Sequence, residues 1–135
     1  MDEKPRSGCP INLALEVIGD RWSLLVLRDL LLNGKSRYQE FLSSREKIST
    51  NILADRLTRL EEKGVISKRD DPENGRQYLY APTKRGLDLL PVLVELARWS
   101  CNYDPNVDKT LPNVKQLKTN KKKFIRKIMS RFEEA

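Results

Sequence analysis

Histidine is absent from this chain of 135 residues. That removes the commonest general base, the Ser–His and Cys–His pairs, and the usual transition-metal ligand. The two cysteines, Cys9 and Cys101, stand 92 positions apart and make no metal-ligand spacing. The six glycines are scattered, with no run that would cradle a phosphate. Long apolar runs are missing as well; none approaches the ~20 residues of a membrane-spanning helix. The N-terminal stretch MDEKPRSGCP has no apolar core of the kind a secretion signal carries. No pair of carboxylates stands out. These absences predict a cytoplasmic chain with no enzymatic activity, no metal, no cofactor and no membrane partner, its cysteines reduced.

The length suits one domain with a core of its own. The chain has 26 Lys+Arg against 19 Asp+Glu, a net charge of +7. Such an excess is the footprint of nucleic-acid binding, but its distribution is uneven. Residues 1–108 hold 17 Lys+Arg and 17 Asp+Glu. Residues 109–135 hold nine Lys+Arg and two acids, Glu133 and Glu134, so the tail carries the whole excess. A nucleic-acid argument for the rest of the chain must therefore come from pattern.

That pattern runs from Ser36 to Arg85. Tyr38, Phe41 and Leu42 fall on one face of a short helix, with Ser36 as its expected N-cap. The linker 43–47 is short and polar. Ser49 is a good N-cap for a second helix, and Leu53, Leu57 and Leu60 make its apolar stripe. Gly64 is placed to end it in the left-handed conformation. At ~100° per residue, Asn51, Asp55, Thr58, Arg59 and Glu62 point away from the stripe. Two helices joined by a tight turn, the second with a polar free face, describe a helix-turn-helix. In such a device the start of the second helix meets base edges in the major groove. Here those residues are Ser49, Thr50 and Asn51, with Asp55, Arg56 and Arg59 further along and Arg37 placed for a phosphate. The plain alternative is an ordinary solvated helix face.

A hairpin follows. Residues 65–69 begin β-branched, 70–76 (DDPENGR) read as a turn, and 77–80 alternate as a return strand. Arg76 sits near the expected tip, where a cation reaches a minor groove or a phosphate. Two helices and a hairpin in this order predict a winged helix-turn-helix and duplex DNA as partner.

Residues 11–18 and 22–32 are strongly apolar on either side of Gly19-Asp20-Arg21, and Trp22 reads as a core plug at that corner. After the wing, a helix is expected from Thr83 to Trp99 with a kink at Pro91. Its wide apolar surface, with that of the N-terminal segment, predicts a homodimer. The fold class expected is mainly α with a small β-hairpin: a winged helix-turn-helix domain over residues 1–103, with N- and C-terminal dimerisation helices. Residues 104–135 form a basic extension, partly helical from Val114. Three readings of it stay open: packing on the dimer, phosphate contacts beside the main site, or an anionic membrane surface.

The order of short motifs carries a further signal. Cys9-Pro10, Gly19-Asp20-Arg21-Trp22, Leu27-Arg28-Asp29-Leu30 and Ser36-Arg37-Tyr38 are followed by Ile48-Ser49, Leu60-Glu61, Gly64-Val65-Ile66 and Thr83-Lys84-Arg85-Gly86. Over residues 9–100 this resembles the HxlR-type branch of the MarR-like winged-helix transcriptional regulators; Pro82 departs from the family's usual aliphatic residue. The resemblance implies a bacterial or archaeal homodimer that binds operator DNA near the genes it controls. It also implies that the N-terminal helix and the helix after the wing build the dimer. Some members of that family sense oxidants through a cysteine at the place of Cys9. The resemblance therefore raises a redox switch in which Cys9 of one subunit meets Cys101 of the other. Lys4, Arg6 and the start of the first helix would lower the Cys9 pKa; two inert thiols are the alternative. A small molecule or an oxidant is the expected effector. The expectation from another class is a winged-helix protein-interaction module without operator specificity.

Overall fold

The computed structural model describes residues 4–133; Met1–Glu3 of the N-terminal stretch and Glu134 of the tail lie outside them. The elements run α1 (Pro10–Ile18), α2 (Arg21–Leu31), α3 (Tyr38–Leu42), α4 (Thr50–Glu62), β1 (Ile66–Asp71), β2 (Asn74–Pro82), α5 (Lys84–Leu87), α6 (Leu90–Tyr103), α7 (Val114–Thr119) and α8 (Lys121–Glu133). The chain divides into two compact units, residues 1–85 and 86–135.

In the first unit α2 is the central helix. Val26, Leu27, Leu30 and Leu31 are buried, and α2 packs on α4. The α4 stripe of Leu53, Leu57 and Leu60 is buried as its spacing predicts. Phe41 of α3 is buried and meets Tyr80 of β2 edge to face, ring centroids 6.2 Å apart. Trp22 is only half-buried; Ser23 is the residue enclosed at the corner, held by Asp20. Asp20 caps α2, accepting from the Ser23 N–H at 2.9 Å and its hydroxyl at 2.7 Å. A Cβ at Gly19 would run into the Leu15 carbonyl oxygen, so the α1–α2 corner needs glycine for close approach.

The Arg28-Asp29 pair staples α2 to the α3–α4 turn. Arg28 makes two bonds to Glu46, at 2.7 and 2.9 Å, and also donates to the buried Asp29. Asp29 accepts in turn from Asn33 at 2.8 Å. A buried carboxylate is tolerated only when paired in this way.

Several boundaries differ from those read in the sequence. The N-cap of α3 is Arg37, not Ser36. The Glu40 carboxylate accepts from the backbone N–H groups of both Ser36 and Arg37, which starts the helix one residue later. Pro91 does not kink a long helix. α5 ends at Leu87, and α6 begins at Leu90 with Pro91 in its first turn, where the missing N–H costs nothing. The wing is also tighter than expected. β1 and β2 pair antiparallel and close on Pro72-Glu73, while Asn74-Gly75-Arg76 belong to the return strand. Asp70 pairs with Tyr78 and Asp71 with Asn74, so residues 75–77 bulge out of the ladder.

In the second unit α6 packs on α7 and α8. Val114, Leu117, Phe124 and Ile128 are buried there. Arg98 of α6 donates to the Leu117 carbonyl at 2.8 Å, and Lys121 of α8 pairs with Glu95 at 2.7 Å. The basic tail forms two helices. They break at Asn120, whose Oδ1 accepts from the Lys123 N–H at 3.1 Å. Because α6 packs with the tail, compactness separates the chain at Gly86, ahead of the break in composition at Asp104.

Candidate nucleic-acid interface

α4 is fixed at both ends and on one side. At its start the Ser49 hydroxyl accepts from the Ile52 N–H at 3.2 Å, and the Tyr38 hydroxyl of α3 donates to the Thr50 carbonyl at 3.1 Å. At its end Gly64 takes φ +74°, a conformation that favours glycine. Arg85 donates to the Lys63 carbonyl at 2.9 Å and the Thr83 hydroxyl to the Gly64 carbonyl at 2.6 Å, satisfying acceptors the helix leaves open. The opposite side is a free ridge: Thr50, Asn51, Asp55, Thr58, Arg59 and Glu62 are all exposed.

The residues on and around this ridge divide by what already holds them. Asn51 and Arg59 have no side-chain partner among the described residues, so their donors and acceptors are open to a ligand. Thr58 bonds back to the Ala54 carbonyl at 3.0 Å, and the Ser49 hydroxyl serves the cap. Arg56 is half-buried. Its Nε donates to Asp20 Oδ1 at 2.9 Å and its Nη1 pairs with Asp55, so it ties α4 to the α1–α2 corner. Partial burial pushes the Asp20 carboxyl up, but the Ser23 hydroxyl, Arg56 and the Ser23 N–H outweigh it and bring the pKa down to about 2. Asp20 is thus ionised throughout the physiological range.

Arg37 is similarly engaged. Its Nε donates to the buried Asp71 at 2.9 Å and its Nη2 reaches Glu73 at 3.4 Å, which binds the start of α3 to the wing. That bond from Arg37, helped by the Glu73 N–H, lowers the Asp71 pKa. Arg76 is exposed on the bulge, its N–H bonded to Asn74 Oδ1 at 3.2 Å. A small cleft between α3 and the wing is lined by Tyr38, Gln39, Arg76, Gln77, Tyr78 and Tyr80. Sequence reading passed over Gln39 and Tyr78, and over Lys68, whose ammonium lies 4.3 Å from the Tyr78 ring centroid. Tyr38 was legible only as an apolar residue; nothing in its spacing reveals that its hydroxyl anchors α4.

Cys9 is the exposed N-cap residue of α1, and the N–H groups of Asn12 and Ile11 lower its thiol pKa. Cys101 is half-buried in α6. Among the described residues no helix is long and apolar enough to cross a membrane, and no His/Cys/Asp/Glu cluster has a metal-binding arrangement.

A recognition helix capped by Ser49, with a polar outer ridge and a hairpin beside it, defines a winged helix-turn-helix protein of the transcription-factor class. Residues 17–108 match the HxlR-like helix-turn-helix family, and the chain belongs to it. It is 32% identical over 102 residues to YdeP, an uncharacterised HTH-type transcriptional regulator of Bacillus subtilis (strain 168), covering 76% of this chain and 79% of YdeP. Among solved structures it is similar to PA1607, described as a candidate transcription factor (TM-score 0.68, 37% identity, 76% of this chain and 72% of that one). It is also similar to the redox regulator HypR in its oxidised form (TM-score 0.63, 26% identity, 74% and 99%). The chain is a transcriptional regulator of the HxlR family, a family of DNA-binding regulators and not of enzymes.

Proposed function

We propose that this regulator binds operator DNA as a homodimer, reading bases with the outer ridge of α4 and contacting the flanking backbone with the wing. The observation that carries this reading is the pair Asn51 and Arg59, which lie on the exposed ridge of a helix anchored at both ends. Asn matches the donor and acceptor of adenine and Arg the two acceptors of guanine. Arg76 supports a wing contact from its exposed bulge. Arg37 and Arg56 support the same surface by holding the wing and α4 in place, and each keeps an Nη group for a phosphate. The dimer is supported by uncovered apolar side chains: Ile11 on α1 is 72% exposed, and Trp99 and Tyr103 on α6 are 66% and 75% exposed.

We propose further that Cys9 makes binding respond to thiol oxidants, as the likeness to a redox regulator suggests. The exposed thiol with a lowered pKa is the form that reacts. With peroxide as oxidant, Cys9 of one protomer and Cys101 of its partner would lose two electrons and two protons to form a disulfide, the peroxide leaving as water.

A mobility-shift titration against the DNA upstream of its own gene, with a scrambled duplex as control, tests both parts. Preference for the upstream duplex is expected, with a change in affinity on oxidation that Cys9→Ser abolishes. Equal binding to both duplexes would reject operator reading and favour a protein-docking winged helix. An oxidation response that survives in Cys9→Ser would reject the switch.

A further inference from the structure

The family match ends at residue 108, and the reading of α4 uses nothing beyond it. α8 runs from Lys121 to Glu133. At ~100° per residue its side chains fall into two arcs. One arc holds Phe124 and Ile128, each 1% exposed, with the half-buried Phe132, Ile125 and Met129 beside them. Lys122, Lys123, Arg126, Lys127 and Arg131 occupy the other, all exposed. Among the described residues none of these five has a side-chain ion pair, whereas Lys121 is held by Glu95. Residues 123, 127 and 131 form a row rising ~6 Å per step along the helix.

We infer that this arc is a second DNA-contacting surface, which takes the phosphate backbone of a duplex without reading its sequence. The inference rests on the reading of the chain as a DNA-binding protein. Charge selects the occupant: residues 1–108 are balanced, so the net positive charge that draws a polyanion lies in the tail. Packing argues against a lipid surface. Phe124 and Ile128 are already buried in their own unit and the rest of the apolar arc is half-buried, whereas an interfacial helix needs that face free to enter the acyl boundary.

The test is a salt titration of the full chain on a mixed-sequence duplex of about 40 base pairs, from about 50 to 200 mM salt. Neutralising four cations together (K122Q/K123Q/R126Q/K127Q) should flatten the slope of log K against log salt by about 3.6, at ~0.9 for each phosphate no longer neutralised. If that chain does not fold, the pairs K122Q/R126Q and K123Q/K127Q should each flatten it by about 2. K122R/K123R/K127R, which keeps the charge, should keep the slope. An unchanged slope in the Gln chains overturns the inference. So does binding to phosphatidylserine vesicles that depends on these cations while the DNA slope stays fixed. The α4 reading fails separately. Asn51→Ala should lose preference for the upstream duplex with its slope intact, and a wild-type chain with no such preference would sink that reading alone.

Discussion

Arg56 and Arg59 stand three positions apart on one helix and do different work. Arg56 is held by Asp20 and Asp55, while Arg59 faces outward with no partner among the described residues. Both are basic residues on the same helix, so their chemistry alone does not separate them. Arg59→Ala should weaken operator binding by ~1–3 kcal/mol if it contacts a base, with the loss confined to the specific duplex. Arg56→Ala should lower the melting temperature as well as affinity for every duplex, because it loosens α4 from the corner. Anisotropy titrations with thermal melts of both variants check this division. Asp20 supplies a pH test. Its folded pKa of about 2 lies below the ordinary 3.8, so it stabilises the fold above the unfolded value. That contribution is lost as pH falls from about 4 toward 2. Urea midpoints of Asp20→Asn should therefore fall less than the wild type's across that window.

Among the elements, α4 was legible almost residue by residue. Its Ser49 cap, its Leu53, Leu57 and Leu60 stripe and its Gly64 terminus follow from local rules that a helix obeys wherever it sits. Ser49→Ala should cost ~1 kcal/mol in chemical denaturation, mostly by fraying the start of α4. The wing and α3 were less legible. Asn-Gly is a strong turn signal, yet the turn closes on Pro72-Glu73. The Asp71 side chain, held by Arg37, accepts from the Glu73 N–H and fixes the loop there. The Arg37–Asp71 bond spans 34 positions, so no local window contains it. Phe41→Ala removes a fully buried ring between α3 and β2 and should cost ~3–5 kcal/mol. Denaturation followed by tryptophan fluorescence would measure it.

At the scale of the whole molecule, the exposed apolar faces of α1 and α6 and the charge of the tail matter most. Leu96 and Trp99 are exposed on α6; if the proposed dimer covers them, Leu96→Glu with Trp99→Glu halves the mass in sedimentation equilibrium. Operator affinity should fall more than tenfold with it, since two linked half-sites bind far more tightly than one. A variant that stays dimeric and binds normally would place the dimer contacts elsewhere.

Spacing determined the class of this protein: the helix-turn-helix periodicity and the order of motifs that marks the family. Those signals are local or cumulative, and one chain displays them in full. Tertiary structure decided which polar and charged side chains remain open to a ligand. Arg37 and Arg56 were drawn into ion pairs with Asp71 and Asp20, while Asn51, Arg59 and the outer arc of α8 were left without partners among the described residues. A charge's partner is set by what folding brings within hydrogen-bond reach, across separations that no sequence period encodes.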